Sequence, residues 1–376
     1  MGRSFLLAKI KGINIQVHPT FTLVLVWAAW EWGIIQELGP SGALYGIALT
    51  CLLFLCVTLH ELAHSLVAIR YGVRVRDITL LPFGGLARLE SELPHPAQEF
   101  WVALSGPAVN LVLAVVLGAI TSPWLDWHSM ADLGRLMRRL NETGLERLLI
   151  YLMTANAGLA IFNLLPAFPM DGGRMLRALL SLRLNELTAT RIAMRIAQGL
   201  AMLIGLLGLA SGSWSQVVVA VFIFGGARME WRRKQLRLAM HQVPASAALM
   251  REGVVLSPND SLSRAIEVTL RDGQTNFAVF DQGYLVGVLT RQDAAQGFRR
   301  YEAHVSIQRV MRTDFPVAQA NDTLLDLQRK METSGSPAIS VNENERFLGL
   351  ATLESVQNAL KLFLRWGSDR AQVSGQ

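Results

Sequence analysis

Two cysteines in 376 residues leave no disulfide framework on which a fold could depend. Cys51 and Cys56 fall in a stretch that reads as a membrane helix, where disulfide geometry is poor, so both are expected to pack as small apolar groups. Charge is scarce too, at 17% of residues against 51% hydrophobic, with a mean hydropathy of +0.33. That balance excludes a chain that is soluble along its whole length and predicts a membrane protein with a soluble part. Between Lys11 and Arg70 there is no lysine or arginine. This gap places the turn between the first two spans outside and Arg70, Arg74 and Arg76 inside, with both termini cytoplasmic. Met1 to Lys11 carries positive charge without a following short apolar core and small-residue cleavage site, so no removable signal peptide is expected. A net charge of +6 and a pI near 9.7 are no nucleic-acid footprint, because the basic residues gather beside apolar segments; no direct nucleic-acid partner is expected.

Apolar stretches of spanning length, about 20 residues each, run from Thr20 to Leu38, Gly42 to Tyr71, Phe100 to Ile120, Gly144 to Leu165 and Thr190 to Ala210, with a shorter one from Trp214 to Ala227. Arg174, Arg177 and Arg183, and later Arg228, Arg232, Arg233 and Lys234, agree with the cytoplasmic assignment. Arg135, Arg138, Arg139 and Arg147 do not. Leu133, Leu136, Met137 and Leu140 make a helical stripe that would let that segment lie at the interface. Alternation over Ile13, Ile15 and Val17, and the turn signal Pro82-Phe83-Gly84-Gly85 inside Ile78 to Leu89, predict two strands beside the membrane helices. They must pair, line a cavity or sit at the interface, and an exposed edge there would accept an extended substrate.

His60-Glu61-Leu62-Ala63-His64 lies inside the apolar run Leu44 to Val73. Positions four apart share a helix face, so both imidazoles face one ion, and ionisable groups at membrane depth are costly unless function retains them. Zinc held this way acidifies its water, and the neighbouring Glu61 is placed to take the proton as that water attacks a carbonyl, which is amide hydrolysis. A third ligand should come from another segment. Asp171 is the candidate, in Asn163-Leu164-Leu165-Pro166-Ala167-Phe168-Pro169-Met170-Asp171-Gly172-Gly173, where prolines and glycines break a helix at membrane depth; the other reading is an N-cap for the helix that follows. Ser105-Gly106-Pro107-Ala108-Val109-Asn110 permits close helix approach, and Asn110 would either polarise the scissile carbonyl or bond another helix. His18 is an interfacial histidine and is left out of the site.

From about Pro244 the composition becomes that of a soluble α/β protein, and the pattern repeats after roughly sixty residues. Leu249-Met250 returns as Val310-Met311, Asp260-Ser261-Leu262 as Asp322-Thr323-Leu324, and Gly287-Val288-Leu289-Thr290 as Gly349-Leu350-Ala351-Thr352. The division expected is residues 1–235 for the membrane part and 236–376 for the soluble part, with repeats over about 244–300 and 305–365.

His60 to His64 together with Asn163 through Gly172 resemble the site-2 protease family of intramembrane zinc metalloproteases, in its prokaryotic branch with a C-terminal CBS-domain pair. The resemblance implies a multi-pass α-helical membrane protein of about six transmembrane helices with short membrane-associated strands, followed by a soluble α/β CBS pair. It implies zinc on His60, His64 and Asp171, Glu61 as general base and a supporting Asn110. It also implies substrates such as membrane-tethered anti-sigma or pro-sigma factors, cut in the cell (inner) membrane, with the CBS pair in the cytoplasm. In CBS pairs a Thr and an Asp three apart commonly hold the ribose of an adenine nucleotide such as ATP, which Thr290 and Asp293 match. The second copy has Thr352 and Ser355, and a pair that only docks a partner or forms a homodimer is the other reading. The competing class is a CBS-regulated membrane metal-ion transporter, with the His/Asp cluster as a passing ion's site. A scaffold that binds helices without cutting is disfavoured by intact ligands and base.

Overall fold

Lys11 and Gly12 both have positive φ, the backbone of a two-residue hairpin turn, and they join β1 (Phe5–Ile10) to β2 (Ile13–Val17). The computed structural model describes residues 4–82, 84–89, 93–124, 144–249, 253–301, 304–344 and 346–373. The chain then enters helix α1 (Phe21–Trp30), which passes into a π-helical turn, Glu31–Ile35, and turns back into α2 (Gly39–Arg70). Strands β3 (Val75–Leu81) and β4 (Gly84–Leu89) follow, and the sheet order is β1-β2-β3-β4. Both expected strands are present, and they find each other: β2 and β3 run parallel with Ile15 opposite Ile78. Ile13 and Ile78 are fully buried against Ala68, Val73 and Val102, which seats the sheet on the cytoplasm-expected end of α2.

Helices α3 (Pro96–Thr121), α4 (Leu145–Leu164), α5 (Asp171–Ser181), α6 (Glu186–Ala210) and α7 (Trp214–Gln242) complete the first part. Among the described residues, four helices, α2, α3, α4 and α6, are long and apolar enough to cross a membrane. The expected count of six is therefore approximate. The first candidate is a shorter apolar helix, Phe21–Ile35, and the sixth is the apolar opening of α7, which runs on through Arg228, Arg232, Arg233 and Lys234. The amphipathic stripe around Leu133 to Leu140 lies outside the described residues. Leu111, Val112, Val115, Leu203, Leu206, Val218 and Val221 are exposed, an outer surface that suits hydrocarbon and not water. Inside, α6 presents Ala189, Ala193, Ala197 and Ala201, one per turn and all buried, so neighbouring backbones approach closely. Ala193, Ala197 and Ala201 pack with Ala167, Phe168 and Met170 of the α4–α5 connection and with Ile223 and Ala227 of α7.

The chain divides into two compact units, Met1–Trp231 and Arg232–Gln376. In the second, α8 (Leu262–Asp272), β5 (Phe277–Asp281), β6 (Tyr284–Leu289) and α9 (Arg291–Tyr301) are echoed by β7 (Val317–Gln319), α10 (Leu324–Ser334), β8 (Ala338–Glu343), β9 (Arg346–Thr352) and α11 (Leu353–Val373). The repeats are exchanged at their leading segments. Met240, Val243, Ala245 and Ala248 complete the core around Leu324, Leu327 and Ile339, whereas Ile307 joins Leu256, Leu262 and Val279 in the other. Backbone bonds fix the exchange, with Leu324 N–H donating to the Val243 carbonyl at 2.9 Å and Leu262 N–H to that of Val305 at 2.8 Å. The lead of each copy thus folds with the opposite copy, which simple segmentation by sequence does not anticipate.

Candidate zinc centre

Helix α2 places His60 and His64 one turn apart, ring centroids 4.7 Å from each other, on its buried face. The third residue arrives from a different element. After α4 the segment Pro166 to Met170 breaks the helix, and Asp171 is the first residue of α5, with Met170 in the N-cap position, so capping is not what its side chain does. Its Oδ2 lies 3.2 Å from Nε2 of His60 and 3.2 Å from Nε2 of His64, and those two nitrogens are 3.1 Å apart. Among the described residues, these three form the group of His, Cys, Asp or Glu side chains able to share an ion.

The donor set fits zinc on two counts. Four ligands at 2.0–2.1 Å in a tetrahedron stand about 3.3 Å from one another, close to the three separations observed. The hydrogen-bond pattern also suits a cation. His64 Nδ1 donates to the Val102 carbonyl at 2.6 Å, with Ser105 Oγ donating to the same oxygen at 2.7 Å, so the neutral ring leaves Nε2 as an acceptor. That acceptor faces a carboxylate oxygen in a buried site, and a cation shared between them satisfies both.

Glu61 stands between the histidines in sequence and half-buried in space. A methyl on Gly85 of β4 would fall 2.4 Å from its Cγ, so the strand backbone lies directly against the Glu61 side chain. Gly106 of α3 does the same for the imidazoles: an added Cβ would sit 2.3 Å from His64 Nε2 and 2.7 Å from His60 Cε1. The expected close approach at Ser105-Gly106-Pro107 is thus an approach onto the ligands themselves. Asn110 lies one turn further along α3, 1% exposed, its Oδ1 without a hydrogen-bond partner. Asn163 ends half-buried in the last turn of α4. His18 is engaged elsewhere, with Nδ1 2.7 Å from Thr20 Oγ1 at the start of α1. Arg177, expected as a charge flanking a span, is also buried and paired with Glu99 of α3 and Glu230 of α7. An arginine that follows a span carries no sequence signal for such buried pairing.

In the second unit Thr290 and Asp293 are in contact: Thr290 Oγ1 donates to Asp293 Oδ2 at 2.5 Å, and the Asp293 N–H donates back at 3.2 Å. Arg312 Nε donates to both carboxylate oxygens at 2.9 Å. The pair at the start of α9 is therefore already engaged by this chain's own groups. Thr352 and Ser355 repeat the geometry at α11, with Thr352 N–H donating to Ser355 Oγ at 2.8 Å and no carboxylate.

Comparison with known proteins gives the family of the chain. The peptidase family M50 model matches residues 48–206, and the CBS domain model matches 245–299 and 307–362. The zinc metalloprotease MJ0392 of Methanocaldococcus jannaschii is 35% identical over 289 residues, covering 77% of this chain and 78% of that protein. Stage IV sporulation protein FB of Bacillus subtilis is 29% identical over 196 residues, covering 51% of this chain and 57% of its own length. Among solved structures, the site-2 protease from Methanocaldococcus jannaschii is 36% identical, with a TM-score of 0.43, over 61% of this chain and 95% of that one. The chain belongs to peptidase family M50, the site-2 proteases, and is a membrane zinc metalloprotease followed by a CBS-domain pair.

Proposed function

We propose that this protease cuts membrane-spanning or membrane-associated regulatory proteins, of the kind represented by anti-sigma and pro-sigma factors, near the cytoplasmic leaflet of the cell membrane. The observation that carries this is the convergence of His60 and His64, on the membrane-length helix α2, with Asp171 at the start of the short helix α5, within 3.2 Å and beside Glu61. Zinc, when held by these three side chains, acidifies water and polarises a carbonyl. His64 is kept in the right tautomer by its bond to Val102, and Asp171 supplies the negative charge of the ligand set. Glu61 takes the proton from the attacking water and returns it to the leaving amine nitrogen. The Gly85 backbone against Glu61 belongs to β4, an edge of the sheet, so a substrate segment paired to that edge is carried past the base in extended form. Asn110, with its buried and unbonded amide oxygen, is the residue we assign to steady the scissile peptide. Comparing membrane-protein fragments in the native host carrying wild-type protein or the Glu61→Gln variant tests the reading. Fragments present only with wild type identify the substrate; identical fragment sets overturn it.

The distribution of Lys and Arg supports a cytoplasmic N-terminus and CBS pair. Control by an adenine nucleotide such as ATP is the role proposed for the CBS pair, with Thr290 and Asp293 at the ribose; a homodimer through the pair is the accompanying assembly. Nucleotide has to displace Arg312 from Asp293 or share the carboxylate with it. Calorimetric titration of ATP into the full chain in detergent is expected to give saturable heat, with the Kd rising about tenfold or more in Asp293→Asn, a loss of roughly 1.4 kcal/mol or above. Absence of heat with wild type, or an unchanged Kd in the variant, removes this role.

A further inference from the structure

Asp171 is the metal ligand not carried by α2, and the short helix that bears it needs an anchor. Arg177 sits on that helix one and two-thirds turns beyond Asp171, is 8% exposed, and carries a charge that burial makes costly unless it is paired. It is paired twice. One terminal nitrogen bonds Glu99 Oε1 of α3, and the other bonds Glu230 Oε1 of α7 at 3.0 Å. The guanidinium carbon also lies 5.4 Å from the ring centroid of Phe168, itself 1% exposed in the segment leading to Asp171.

The face of α3 that receives Arg177 is the one that builds the rest of the site. Glu99, Val102 and Gly106 fall at i, i+3 and i+7 and share one side of the helix. Glu99 holds Arg177, the Val102 carbonyl orients His64, and Gly106 lies against both imidazoles. A single planar fork therefore ties the helix of the third ligand to the helix that orients the first two, and to α7 on its other side. We infer that Arg177 is a positioning residue of the zinc site: with Glu99 and Glu230 it fixes α5 so that Asp171 meets His60 and His64.

This rests on the three-ligand zinc reading, and its test is a binding measurement that needs no cleavage. Zinc is titrated against a chromophoric chelator on the detergent-purified full chain, beside thermal unfolding of the metal-free protein. Arg177→Met is expected to weaken zinc binding by about 10- to 100-fold, the usual cost of losing a group that supports a metal ligand. Arg177→Lys, which keeps the charge but not the fork, is expected to fall between that variant and wild type. Should Arg177→Met leave two uncompensated acids and fail to fold, the triple variant R177M/E99Q/E230Q removes those charges and is read in its place. It too is expected to bind zinc at least tenfold more weakly. Wild-type zinc affinity in whichever of these two variants folds, even with a lowered unfolding temperature, makes Arg177 an ordinary structural pair and overturns the inference. Tight zinc binding by wild type with no proteolysis would instead remove the protease reading and leave this one standing.

Discussion

Replacing Glu61 with Gln is expected to leave one zinc per chain and to lower the cleavage rate by about 10²- to 10⁴-fold, the span that a positioned general base contributes. The amide is nearly the same shape as the acid, so the contact with Gly85 on β4 survives, while the group that accepts the proton is gone. Zinc content by elemental analysis and cleavage of a membrane-tethered reporter, measured on the same purified samples, separate the two properties. Glu61 is not among the three ligands, so loss of zinc together with activity would mean that the side chain has a structural role and not a catalytic one.

The second large effect is expected at a residue with no side chain. Gly106→Ala introduces a methyl 2.3 Å from His64 Nε2 and 2.5 Å from its Cε1, far inside contact distance. Either the imidazoles turn away from Asp171 or α3 moves off α2, and both separate the three ligand atoms. Zinc affinity is expected to fall by 100-fold or more, on the order of losing a ligand and beyond the 10- to 100-fold cost of an outer residue. Gly118→Ala on the same helix is the control, since its methyl would meet Met153, Sδ at 3.4 Å and Cγ at 4.0 Å, both ordinary contacts. If the two substitutions lower chelator-competed zinc affinity alike, the close approach at Gly106 is not what shapes the site.

Much of this site was legible because membrane depth penalises every polar group that has no task. His60, Glu61 and His64 stood out in an apolar run, and Asp171 stood out because two prolines and two glycines broke a helix where lipid demands continuous hydrogen bonding. The expected strands over Ile13–Val17 and Ile78–Leu89 were readable by alternation and by a turn signal. Strand β1 was not, since Phe5–Ile10 opens on a plain apolar run without period-two contrast; its signal was the Lys11-Gly12 turn, meaningful only once β2 is known. Arg177 was legible only as a charge flanking a span, for a related reason. A basic residue after a span reads as a topology marker, and its partners, Glu99 and Glu230, lie 78 and 53 positions away, so only the fold shows that it is buried between helices. The same holds for the exchanged leads of the CBS repeats, where period identifies the copies but cannot say which core each lead completes.

The central claim is that side chains from two separate elements, α2 and the start of α5, share one zinc ion. X-ray absorption at the zinc edge, with zinc stoichiometry, on wild-type protein and on Asp171→Ala tests it most directly. The account predicts one zinc per chain bound by nitrogen and oxygen at about 2.0–2.1 Å, with an oxygen ligand and most of the affinity lost in the variant. Zinc held by Asp171→Ala with unchanged affinity and an unchanged ligand shell would contradict it.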